Sequence, residues 1–107
     1  MSQGEAMQFM VLGYDGKDGD ALDRRLAVRD QHLAVGDRLA AEGTLLFAAA
    51  ILDANATMIG SMLVLDFPSR TELDAWLDVE PYVTGDVWRQ LEISPVRVGR
   101  SLIRVPQ

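Results

Sequence analysis

The sequence has no cysteine, a single histidine, and no apolar run long enough for a membrane-spanning helix. Without cysteine there can be no disulfides, thiolate metal sites or thiol nucleophile. One histidine leaves a mononuclear zinc site short of ligands unless a second copy contributes, and is too little to indicate haem. No metal and no cofactor are therefore expected. A spanning helix takes about 18 consecutive apolar residues. The opening stretch Met-Ser-Gln-Gly-Glu-Ala-Met also lacks the charged-then-apolar pattern of an export signal. A soluble cytoplasmic protein is expected. Positive charge is scarce too: ten Lys and Arg against sixteen Asp and Glu, a net charge of -6. Phosphate backbones and anionic membrane surfaces are bound by basic faces, so neither nucleic acid nor membrane is an expected partner. There is no G-x-S-x-G elbow, and Gly13-Tyr14-Asp15-Gly16 does not open a helix with phosphate-loop spacing.

What is present is one domain's worth of chain. The 107 residues are 49% apolar and 24% charged, which suits a folded domain over residues 1–107 with a modest core. Residues 7–14 read as a strand whose run from Phe9 to Leu12 is apolar on both faces. Residues 15–20 form a turn-rich loop; its carboxylates lack the rest of a calcium-loop pattern, so it reads as solvated. Residues 21–42 read as a helix with Asp20 as candidate cap and a permissible break near Arg29-Asp30. Leu22, Leu26, Leu33 and Ala40 form one stripe, and Val28, His32, Val35 and Leu39 form the line beside it. Gly43 ends the helix, as a residue free to turn left-handed does.

Residues 44–52 favour a strand, although their three alanines keep helix in competition. Residues 53–56 then make a hairpin loop to a partner strand over 57–67, in which Gly60-Ser61 permits a bulge or a close ligand. Ser69 and Glu72 match a capping box opening a second helix, with Leu73, Trp76 and Leu77 inward and an end before Pro81. After a connection over 80–86, residues 87–98 form the last strand. Val87, Arg89, Leu91 and Ile93 fall on one face of it, and Trp88, Gln90, Glu92 and Ser94 on the other. Pro95 suits an edge, and residues 99–107 read as an extension able to pair with another chain. The order strand-helix-strand-strand-helix-strand predicts an α+β, ferredoxin-like βαββαβ fold with both helices on one face of an antiparallel sheet. Strands apolar on both faces then need a second cover, and a homodimer packed sheet on sheet supplies one.

The chemistry concentrates at Arg29-Asp30-Gln31-His32-Leu33. An imidazole on a line of valines and leucines points towards a core or a pocket, and it exchanges protons near neutral pH. Arg29-x-x-His32-Leu33, Glu42-Gly43-Thr44-Leu45-Leu46, Gly60-Ser61 and Pro81-Tyr82-Val83-x-Gly85 follow one another in the order of a known family. Over a core of about 7–98 the chain resembles the YciI-like (YCII-related) family of dimeric α/β-barrel proteins. The resemblance implies an active site of one histidine and one aspartate, His32 matching the histidine. The position before the Pro-Tyr pair is Glu80, a departure that keeps the carboxylate and adds a methylene. Ala48-Ala49-Ala50 likewise replaces the family's alanine-glycine-proline turn. Most of the family has no assigned reaction. A few relatives are implicated in lyase-like steps on ring compounds, including chloride removal from chlorinated hydroxyquinols.

These expectations combine into a candidate site. His32 and Glu80 are the candidate catalytic pair: a carboxylate on one ring nitrogen fixes the tautomer and frees the other for acid–base work. Arg29, Ser61, Tyr82 and Trp88 are candidate substrate-binding residues, by charge, hydrogen bonding or as a wall. Each has a plainer role open to it: a satisfied core histidine, a helix ion pair for Arg29, a sheet hydroxyl, packing aromatics and a surface glutamate. The expected function is a small cofactor-free enzyme, lyase- or isomerase-like, acting on a small cyclic molecule. The alternatives are a non-catalytic dimeric module binding a small ligand or a protein, and a purely structural accessory.

Overall fold

The computed structural model describes residues 7–99, so the lead-in and nearly all of the expected C-terminal extension lie outside the described residues. The elements are β1 (Met7–Asp15), α1 (Ala21–Ala41), β2 (Leu45–Leu52), β3 (Met58–Phe67), α2 (Arg70–Leu77), α3 (Pro81–Thr84) and β4 (Trp88–Val96). The sheet runs β2-β3-β1-β4 with every neighbouring pair antiparallel. This is the ferredoxin-like α+β order that the sequence predicts. Pro95 sits on an edge strand, the place in a sheet where a residue without an N–H is ordinarily tolerated. Among the described residues no helix is long and apolar enough to cross a membrane.

The sheet is two-sided. Phe9, Val11, Gly13 and Asp15 alternate inward along β1, as do Ser61, Leu63 and Leu65 along β3. They pack with Leu39, Leu73, Trp76, Leu77 and Tyr82 from the helices into one core. The intervening residues Met10, Leu12, Tyr14, Met62 and Val64 are apolar yet only half-buried, and Phe47 on β2 is 56% exposed.

Helix α1 runs unbroken through Arg29-Asp30. Its exit is a Schellman turn: Gly43 takes φ 81°, Thr44 N–H bonds the Leu39 carbonyl at 2.8 Å, and Gly43 N–H bonds that of Ala40 at 3.1 Å. At its start Asp20 holds the cap position without a side-chain cap bond. Instead Asp18 engages Arg24 at 2.7 and 2.8 Å, and those hydrogen bonds hold its carboxyl well below the usual carboxylate range. The line through Val28, His32, Val35 and Leu39 is the one that meets the sheet. The leucine stripe lies one residue on, about 100° round the helix, and leaves Leu22, Leu26 and Leu33 exposed. On α2, Ser69 Oγ accepts from Glu72 N–H at 3.2 Å, one half of the expected capping box.

Strand β4 departs from the strict alternation read in its sequence. A bulge shifts the register so that Tyr14 faces Gln90 but Asp15 faces Trp88, with Arg89 as the extra residue. The bulge turns Trp88 onto the helix-covered face. Its indole lies against Gly13, where a Cβ would come within 2.5 Å of the ring. Gly60 serves a similar purpose: a Cβ there would meet the Gly13 carbonyl at 2.6 Å, so its space belongs to the neighbouring strand. The β2–β3 register also slips beside it, between Ile51 and Leu52.

Candidate active site

Glu80 is placed by helix termination. Helix α2 ends, Pro81 starts the single turn of α3, and Glu80 becomes its N-cap. Its Oε1 accepts from Tyr82 N–H at 3.1 Å and also from the Nδ1 of His32, across 48 residues of chain. The added methylene is therefore accommodated, because one carboxylate oxygen serves the backbone cap and the imidazole together. Glu80 is 1% exposed, and its Oε2 has no partner among the described residues.

The bond to Glu80 assigns the proton of the neutral imidazole to Nδ1 and leaves the lone pair on Nε2. The ring is held in place by aromatics. It stacks on Tyr82 at 3.8 Å between centroids and 10° between planes, and Trp88 meets it edge-on at 5.8 Å. Its side chain keeps 14% exposure, so the histidine is reachable rather than sealed.

His32 borders a cleft of about 180 Å³ between α1, β2 and β3. Arg25, Arg29, Ser61 and Tyr82 line it with the small side chains Ala48, Ala49 and Ala50. Arg29 is half-buried and makes no ion pair among the described residues. Burial pushes the Tyr82 phenol above its ordinary range, so it is neutral at physiological pH and able to donate. Trp88 does not line this cleft. It is buried behind it and donates Nε1–H to Ser61 Oγ at 3.2 Å.

Asp15 and Arg25 complete the cluster, and sequence reasoning missed both by assigning Asp15 to a solvated loop. Arg25 is 3% exposed, and its Nη1 contacts both Asp15 oxygens at 3.0 and 3.1 Å. Its Nη2 donates to Ser61 Oγ at 2.8 Å, and its guanidinium lies 4.7 Å from the centre of the Tyr82 ring. Desolvation pushes the Asp15 carboxyl up, and Arg25 pulls it back only in part. Ser61 Oγ accepts from both Arg25 and Trp88, which fills its lone pairs and leaves its O–H free to donate. A signal existed for each residue. Arg25 lies three positions before Val28 on the buried line of α1, and Asp15 is in phase with Phe9, Val11 and Gly13.

The cleft thus offers two guanidinium groups, a serine hydroxyl, a neutral phenol and one imidazole backed by a carboxylate. Among the described residues no three His, Cys, Asp or Glu side chains are grouped to hold a metal ion. Fold and site together define a class: a small ferredoxin-like α+β protein with a carboxylate-backed histidine at the wall of a donor-rich cleft. The model of the YCII-related domain matches residues 7–97, and the chain belongs to that family. Protein YciI of Escherichia coli is 34% identical over 97 residues, covering 85% of this chain and 97% of that protein.

Two solved structures share the fold at low identity. One is the 5-chloro-2-hydroxyhydroquinone dehydrochlorinase TftG of Burkholderia phenoliruptrix, in complex with 2,5-dihydroxybenzoquinone. It has a TM-score of 0.77 and 20% identity, over 89% of this chain and 98% of that one. The other is a dimeric ferredoxin-like protein from an uncultured marine organism, with a TM-score of 0.52 and 16% identity, over 92% of this chain and 94% of that one.

Proposed function

We propose that this protein is a small homodimeric enzyme that moves a proton on an oxygenated ring compound, with His32 as acid–base and Glu80 as its partner. The observation that carries this reading is the His32–Glu80 hydrogen bond beside an arginine-lined cleft. Nε2 removes a proton from the substrate, and Glu80 stabilises the imidazolium that results. The electron pair left behind moves into the ring oxygen system as an enolate or phenolate. Arg29, the Ser61 hydroxyl and the Tyr82 phenol receive that charge, while Arg25 and Trp88 hold Ser61 in place. The pair then either expels a leaving group such as chloride or takes the proton back at another atom. The first outcome is an elimination and the second an isomerisation; neither calls for a redox partner. The dehydrochlorinase with the same fold acts on a chlorinated hydroxyquinol, and this cleft has the donors such a ring would use.

The homodimer is supported by the uncovered apolar sheet face and by the dimeric state in the name of one structural neighbour. The test is chloride release and ring absorbance with 5-chloro-2-hydroxyhydroquinone and a panel of hydroxylated quinones. Turnover should fall at least ~100-fold in His32→Asn and less in Glu80→Gln, because general base catalysis contributes about 10²–10⁴. Saturable binding without turnover by the wild type would move the protein to the non-catalytic binding module. Neither binding nor turnover would leave a structural accessory.

A further inference from the structure

The cleft beside His32 is open because β2 is filled at one end of its inner face and not along the rest. Residues directly across an antiparallel pair share a face. Leu45, Ala48 and Ala50 stand opposite Leu65, Leu63 and Ser61, so all three lie on the helix side of the sheet. Leu45 fills its place. It packs against the core and comes up to Gly36 on α1, 3.6 Å from where a Cβ there would stand. Ala48 and Ala50 lie on the same face of the strand yet are exposed, and they line the cleft of about 180 Å³ that His32 borders.

These alanines run against the local preference of a strand. β-branched and aromatic residues are enriched in strands and alanine is depleted. A break with local preference that has no packing gain is commonly found where function needs the space. Two polar groups of the same cleft point to what the space is for. Ser61 is 4% exposed and accepts from Arg25 and Trp88, which can only donate, so its hydroxyl proton has no acceptor among the described residues. Arg29 also lines the cleft and makes no ion pair among those residues. Both groups suit an anionic oxygen. Ser61 faces Ala50 directly, and the Cβ atoms of such a pair stand about 5 Å apart. A cavity of ~150 Å³ holds a benzene ring, so a ring lying on the Ala48 and Ala50 methyls has its oxygen substituent beside the Ser61 hydroxyl.

We propose that Ala48 and Ala50 determine which substrates the site accepts: they keep open the place of one six-membered ring, whose anionic oxygen Ser61 and Arg29 hold. This role rests on the cleft being the substrate site, and not on the proton transfer assigned to His32.

Benzoate and acetate separate the ring from the anion, since both carry a carboxylate and only one carries a ring. Binding to the full chain is followed at the His32 imidazole and Trp88 indole resonances, and stability by thermal unfolding without ligand. The wild type should bind benzoate saturably and at least about tenfold more tightly than acetate, the gain expected from burying part of an aromatic ring. Ala48→Val and Ala50→Val should each raise the unfolding midpoint by a few degrees, because valine suits a strand better. The double variant should nevertheless bind benzoate at least about tenfold more weakly while acetate stays within about twofold, because only the ring's place is filled. Greater stability with lost ring binding is not what an alanine of merely structural role would give. Valine variants that bind benzoate as the wild type does, or that are less stable than it, overturn the proposal and leave the cleft as a binding site. An equal loss of acetate and benzoate overturns it as well, because the anion's place has then changed rather than the ring's. A wild type that responds to neither probe overturns the substrate site together with the role of its alanines.

Discussion

A buried guanidinium at the wall of a cleft must have its charge met from behind, and in this protein Asp15 does that for Arg25. The pair lies at 3.0 Å with both side chains almost wholly out of water, and it orients the Ser61 hydroxyl. Asp15→Asn keeps the shape and removes the compensating charge. Breaking a buried pair on one side costs about 3–5 kcal/mol, so thermal or urea unfolding should show a loss of that order. Arg25→Met with Asp15→Asn, which removes both charges, should recover part of it. Individual side chains were legible in the sequence where one periodicity sufficed. His32 stood out because a polar ring interrupts a line of valines and leucines. Arg25 did not, because a helical arginine ordinarily looks like a solvated one, and only the third dimension shows Asp15 beneath it.

Elements carry the site by ending in the right places. Glu80 faces His32 because α2 stops and α3 starts at Pro81, an end that the proline marks in the sequence. Trp88 reaches Ser61 because a bulge at Arg89 reverses its side, and no local pattern announces a bulge in an otherwise alternating strand. Gly13 is the other half of that device. Gly13→Ala would set a methyl within 2.5 Å of the Trp88 ring, so the indole must move. The expected result is a loss of about 1–3 kcal/mol from overpacking, together with a changed Trp88 indole resonance as its bond to Ser61 is strained. An unchanged resonance and stability would mean that the strand gives way instead. Helix α1 was legible almost to its ends, since its glycine exit is chemically unambiguous. The line through His32 was read as inward and is so; that the leucine stripe beside it stays exposed was not legible, because adjacent lines of a helix can each satisfy the same spacing.

At the scale of the molecule, strand order and the one-sided placement of the helices follow from the alternation of apolar and helical segments, and the sequence sufficed for both. The second face of the sheet has no helix over it among the described residues. Met10, Leu12, Met62 and Val64 are apolar and half-buried there, with Phe47 open beside them. Val64→Lys places a charge in the middle of that face without touching the cleft. Sedimentation should show the wild type as a dimer at micromolar concentration and the variant shifted to monomer with its helix content retained. A monomeric wild type would remove the homodimer from the account. The whole fold nevertheless converges on one imidazole, and a chain with a single histidine lets its state be read without overlap. Long-range ¹H–¹⁵N NMR of His32 above its titration should find the neutral ring protonated on Nδ1, with Nε2 carrying the lone pair. Glu80→Ala should return the ring to a mixture of tautomers. A ring protonated on Nε2, indifferent to the loss of Glu80, would contradict the proposed proton transfer at its root.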